Sequence, residues 1–152
     1  MKLFLILFFS CCLQISTHAQ SDKPTYRTGI GMRFTPFGVS FKANSLRTAR
    51  STEFIGYFKD GFIASALMYW NYTLNDAKNI KLYGGGGLQG GWKDKNNGNA
   101  GVFGVTGIIG VDYKFLQLPL NISLDWQPAY QFFSGESDFQ PNYGGIAVRF
   151  TL

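Results

Sequence analysis

The sequence predicts an all-β fold, an eight-stranded antiparallel up-and-down transmembrane β-barrel. Three observations carry this reading. The final ten residues, Tyr143 to Leu152, alternate to the end, with Ile146, Val148, Phe150 and Leu152 on one face and Gly145, Ala147, Arg149 and Thr151 on the other. That is the period of a strand, and a terminal strand that closes onto the first one leaves no exposed edge. The chain opens with an export signal. Charged residues make up only 15% of it, below the roughly 25% of soluble domains. Yet the longest nearly unbroken apolar stretch beyond the signal, Phe62 to Trp70, is far short of the about 20 residues of a membrane helix and close to the about 9 to 11 of a membrane strand.

The signal occupies residues 1–19. Lys2 gives a positive start, Leu3 to Leu13 an apolar core, and Thr17-His18-Ala19 a small-x-small site, so cleavage is expected after Ala19. Residues 20–152 then form one barrel domain, and the expected address is the outer membrane. Cleavage removes Cys11, Cys12 and His18, leaving no disulfide, thiol nucleophile or imidazole. The formal charge of +5 falls to +4 with the loss of Lys2. The remaining basic residues are scattered without a run, which gives no support to a nucleic-acid partner.

Eight strands follow a polar lead-in. Tyr26 to Phe34 alternates Thr28, Ile30, Met32 and Phe34 against Gly29, Gly31 and Arg33, and Thr35-Pro36 turns the chain. Phe37 to Ala43 sets Phe37, Val39 and Phe41 against Gly38, Ser40 and Lys42. The basic stretch Asn44 to Ser51 reads as a turn, Thr52 to Phe58 as the third strand, and Lys59-Asp60-Gly61 as a hairpin signal. Phe62 to Tyr72 and Ile80 to Trp92 are the fourth and fifth strands. The polar loop Lys93 to Asn99, with its Asn-Gly dipeptide, separates them from the sixth, Gly101 to Phe115. Leu120 to Phe132 is the seventh, and Tyr143 to Leu152, after the polar loop Ser134 to Asn142, the eighth. An even count puts both ends on the same side, as in bacterial barrels of this kind.

The alternation assigns faces. Leu120, Ile122, Leu124 and Trp126 are expected outward, and Asn121, Ser123, Asp125 and Gln127 inward. The inward set includes Arg33, Lys42, Glu53, Asp112, Asp125 and Arg149. A lipid-facing Arg or Lys costs roughly 2 to 4 kcal/mol at mid-depth, so a paired interior network is expected, filling a ring whose interior has just enough room for side chains. That excludes a wide pore. Tyr26, Phe34, Phe58, Tyr69, Trp70, Tyr72, Trp92, Tyr113, Phe115, Trp126 and Tyr130 fall near strand ends and are expected to form interfacial girdles.

Few motifs point to chemistry. Gly85-x-Gly87-x-x-Gly90 matches a dinucleotide fingerprint but lies inside a strand pattern with no helix after it, so tight strand curvature explains it better and no cofactor is expected. Two sequons, at Asn71 and Asn121, fall in or beside strands rather than in exposed loops. Glu136-x-Asp138 offers two carboxylates, too few for a calcium cage of about six to eight oxygens. In Asp125-Trp126-Gln127-Pro128, proline lacks an amide donor and is read as marking a bulge or the rim.

Several segments together resemble the small outer-membrane β-barrel proteins of Bacteroidota-type bacteria. They are Gly31 to Arg33 with Gly38 to Lys42, Glu53 to Gly56, Tyr83 to Gly87, Gly104 to Phe115, Pro119 to Pro128, and Gly144 to Phe150. The resemblance implies an outer-membrane barrel in Gram-negative bacteria, in contact with membrane lipid, and implies no catalytic residues. Its departure is Leu152, where an aromatic is usual; Phe150 would then present the final strand to the barrel-insertion machinery. The expected role is structural or surface-interacting, through loops Lys93 to Asn99 and Ser134 to Asn142. Two alternatives stand beside it. A soluble secreted barrel would hold an apolar ligand and turn its apolar faces inward. A lipid-modifying enzyme would lack a histidine base and rely on Asp112 or Asp125.

Overall fold

The computed structural model describes residues 26–74, 77–95, 98–133, 136–141 and 143–152. The expected export signal, the lead-in and Asn97 of the expected Asn-Gly turn lie outside them. Among the described residues every regular element is a strand: β1 (Thr28–Phe34), β2 (Gly38–Asn44), β3 (Arg50–Tyr57), β4 (Gly61–Leu74), β5 (Ala77–Lys95), β6 (Gly98–Lys114), β7 (Leu120–Trp126), β8 (Ala129–Phe133), β9 (Glu136–Gln140) and β10 (Gly145–Thr151).

β1 to β7 pair each with the next, antiparallel. β10 pairs β7 on one side and β1 on the other, from Gly29↔Thr151 to Phe34↔Ile146. This closes an eight-membered antiparallel barrel. β8 continues β7, and both pair β6 in one unbroken register, Ile109↔Trp126 followed by Thr106↔Ala129. β9 pairs β8 and stands above the ring together with the outer parts of β5 and β6.

Two sequence expectations are corrected here, and a third, which left two readings open, is decided. The stretch Ser134 to Asn142 is not a loop throughout, because Glu136–Gln140 is β9. Of the stretch Lys93 to Asn99 expected as a loop, Lys93 to Lys95 belong to β5 and Gly98 and Asn99 to β6, and residues 96–97 lie outside the described residues. Beyond the ring both faces of a hairpin are wet, so polar residues no longer mark where a strand ends. Of the two readings of Asp125 to Pro128, a bulge or the rim, the rim holds: β7 ends at Trp126 and its pairing with β10 at Asp125↔Gly145, while the register against β6 runs through unbroken. Gly107 N–H still donates to the Pro128 carbonyl at 2.9 Å. Proline cannot return the second bond of that pair, and the Thr106 hydroxyl lies 3.2 Å from the Gly107 carbonyl and 3.0 Å from that of Pro128.

Glycine serves closure at specific points. A Cβ on Gly87 would lie 1.9 Å from the Ala66 carbonyl oxygen, and one on Gly85 2.2 Å from that of Met68. Both face the barrel interior from β5, where the neighbouring backbone leaves no room for a Cβ, so Gly85 and Gly87 serve the close approach of the curved ring rather than a cofactor. At the β3–β4 turn Asp60 and Gly61 take positive φ, 52° and 125°, as a tight hairpin requires.

The polarity of the molecule is inverted relative to a soluble domain. Ile30, Met32, Phe54, Leu88, Phe103, Ile109 and Leu124 are about half exposed or more on the outer wall. Among the described residues the buried set holds 17 polar or charged residues against 11 apolar ones, so the interior is predominantly polar. On β5 the outward positions run from Leu82 to Trp92, about 34 Å of strand and about 26 Å of height at a tilt of about 40°. The apolar band of a membrane barrel is about 25 Å tall.

Candidate functional site

The inward positions of all eight ring strands converge on one polar network. Arg33 (β1), Lys42 (β2), Glu53 (β3), Asp112 (β6), Asp125 (β7) and Arg149 (β10) are all buried, the most exposed at 6%, and the structure brings them together. Arg33 grips Asp125 with both guanidinium nitrogens, one at 3.0 Å, and lies 3.7 Å from Glu53. Lys42 pairs with Asp112. Arg149 pairs with Glu53 at 2.5 Å and donates to Ser40 and Ser123, each at 2.7 Å. Three cations meet three carboxylates, which is the condition under which buried charges are tolerated.

Neutral groups absorb the remaining lone pairs and protons. Ser40 and Tyr69 hydroxyls donate to Glu53 at 2.7 and 2.8 Å. Tyr83 donates to Asp125 at 2.7 Å, and the Asn121 amide donates to Asp112. The Lys42 ammonium also lies over the rings of Tyr26, Tyr69 and Tyr83, between 5.4 and 5.7 Å from their centroids, a favourable placement for a desolvated cation.

Above this network the interior changes character. Tyr57 donates to Gln127 at 2.6 Å, Lys93 to Gln131 at 2.7 Å, and Gln131 to the Tyr143 hydroxyl at 3.0 Å. Burial pushes the Tyr143 phenol above its ordinary pKa. Between the two layers, Ser65 Oγ, both polar atoms of Gln89 and Gln127 Nε2 are buried without a hydrogen-bond partner among the described residues. Ser65 and Gln89 face each other across the β4–β5 ladder.

The sequence reading missed the inner tyrosines. Tyr69 is fully buried and leaves the girdle set, because it shares its face with Ser65 and Leu67 rather than with Met68 and Trp70. Tyr26 is half-buried at the end where β1 begins and β10 finishes, 3.4 Å from Asp112, and leaves it as well. Phe58, Trp70, Tyr72, Trp92, Tyr113, Trp126 and Tyr130 do face outward near strand ends. Phe37, Phe58, Phe62 and Trp92 form a continuous arc with neighbouring ring centroids 5.3 to 6.4 Å apart.

The remaining motifs bring no other site together. Asn71 donates to the Ser51 hydroxyl at 2.6 Å, and Asn121 is fully buried, so neither sequon is a free loop. Asp138, exposed on β9, accepts from Gln140. Among the described residues no cluster of three metal-ligating side chains occurs. A shallow apolar groove of about 790 Å³ crosses the outer wall, with Ala64, Ala66 and Gly90 between ridges of Phe54, Phe62 and Phe103.

The chain matches no family model, no curated protein and no solved structure.

Proposed function

We propose that this chain is a small outer-membrane β-barrel protein with a structural or surface-interaction role, exported by cleavage after Ala19 and closed to wide solute passage by its interior network. The observation that carries the reading is the inverted polarity: an apolar outer band of membrane height around a buried, charge-balanced interior. In water that exterior would be an aggregation hazard, whereas in a bilayer it is solvated by acyl chains. The resemblance of its sequence segments to the Bacteroidota-type barrels supports the same address, with the final strand presented to the insertion machinery. A soluble barrel holding an apolar ligand needs the opposite facing, apolar within and polar without. A lipid-modifying activity finds no support in Asp112 and Asp125, which are tied to Lys42 and Arg33.

Native protein from isolated outer membranes tests this. Extraction that requires detergent, with a mobility shift between unboiled and boiled samples, is the expected result. Release into the soluble fraction without a shift would overturn the membrane reading. In planar bilayers the protein is expected to show no large, steady conductance, and a wide-pore current would overturn the closed interior.

A further inference from the structure

Charge is shared unevenly between the two ends of the ring. The interior is balanced. At the end bearing the β1–β2, β3–β4 and β5–β6 turns, Lys59, Lys93 and Lys95 stand against Asp60, Asp94, Glu136 and Asp138. At the opposite end, where β1 begins and β10 finishes, the turns and strand ends among the described residues carry Arg27, Arg47, Arg50 and Lys114, with no Asp or Glu side chain outside the interior network. The positive excess of the barrel therefore sits at one rim.

That rim is also amphipathic. Arg27, Arg47 and Arg50 are exposed. The Arg50 guanidinium lies 5.7 Å from the centroid of the outward Trp70 ring, which holds its charge against the apolar wall. Leu46 precedes Arg47, and Leu116 and Leu118 project from the β6–β7 turn at 72% and 50% exposure. Lys114 caps that turn by donating to the Phe115 and Leu118 carbonyls, each at 2.8 Å. A basic ring continuous with an apolar wall, with aliphatic side chains among its cations, matches a layer of phosphates lying over acyl chains.

We infer that this rim docks on the anionic phosphate headgroups of the leaflet that meets it, through Arg27, Arg47 and Arg50. The inference rests on the membrane reading above. Arginine suits phosphate because its planar fork presents paired donors to two oxygens. The neighbouring leucines select a lipid headgroup over a free anion, since only the lipid brings an apolar phase to cover them.

The test is insertion of the full chain from urea into vesicles of phosphatidylcholine alone or doped with phosphatidylglycerol, scored by gel mobility. Each basic residue near an anionic surface is worth about fivefold in partitioning. Three arginines predict half-insertion at a lipid concentration on the order of a hundredfold lower in the anionic vesicles at low salt, a preference erased by added salt. The triple variant R27Q/R47Q/R50Q is expected to insert into both vesicles with the preference gone. Equal insertion of the parent in both vesicles, or a triple variant that keeps the preference, would overturn the headgroup inference while leaving the membrane barrel standing. Competition by inorganic phosphate beyond that of chloride at equal ionic strength would make the rim a free-anion site and overturn the lipid assignment. Failure to insert into either vesicle would overturn the membrane reading itself.

Discussion

Glu53 is the hub of the interior, and E53Q is the substitution that interrogates it most directly. The carboxylate accepts from Ser40, Tyr69 and Arg149 and lies 3.7 Å from Arg33. Glutamine keeps the shape and one acceptor oxygen, so the packing survives, but it leaves three interior cations facing two carboxylates. Stripping one partner from a buried ion pair costs about 3 to 5 kcal/mol, because the remaining charge stays buried and unbalanced. The expected loss for E53Q falls in that range. R149M alone removes the cation that pairs with Glu53 and is expected to cost a similar amount. The double variant E53Q/R149M restores the balance and should be less destabilised than the sum of the two by about 2 kcal/mol, within the range of directly coupled sites. Equilibrium urea unfolding in detergent micelles measures all three, with the folded fraction read from unboiled gels and tryptophan fluorescence and the slope m checked for constancy. An E53Q variant within about 0.5 kcal/mol of the parent, the range of an ordinary surface change, would refute the claim that the six charges are mutually compensating. So would an additive cycle.

Other expectations follow from single contacts. G87A should fail to close the barrel in a gel-shift assay, because its Cβ meets the Ala66 carbonyl at 1.9 Å, whereas G101A, with nothing within 4 Å, should fold like the parent; equal folding of the two would remove the close-approach argument. Q89M should raise stability by about 1 to 3 kcal/mol by removing a buried amide without a partner, and a loss on urea unfolding would show that the amide is engaged. I109R, on the outer wall at 60% exposure, should cost roughly 2 to 4 kcal/mol in a bilayer at mid-depth; indifference to this change in lipid vesicles would argue against lipid on that face.

Which face each residue takes was legible in the sequence, because period two leaves one decision per strand. Asn121, Ser123, Asp125 and Gln127 are buried and Ile122, Leu124 and Trp126 are exposed, as the alternation reads. Tyr69 was misread because proximity to a strand end was weighed above parity, and Tyr57 and Tyr83, whose parity also points inward, were assigned to neither face. β9 and the tips of β5 and β6 were not legible. Their residues meet water on both sides, so no hydrophobic contrast records the strand. The partners of each charge were likewise hidden, since parity says only that a side chain points inward and not how far round the ring it reaches.

The ring does not finish level. β1, β2 and β3 turn back at residues 35–37 and 58–60, while β5 and β6 run on as a hairpin to residues 95 and 98 and β8 and β9 form a second one beyond Pro128. The mouth therefore has a low sill on the β1–β3 side and a tall screen opposite. A large body reaching the mouth parallel to the ring plane is stopped by the screen from one direction and passes over the sill from the other. The Phe37–Phe58–Phe62–Trp92 arc follows the outer wall just below that sill. Approach to the opening is thus directional, and the route that clears the sill passes above an aromatic ledge.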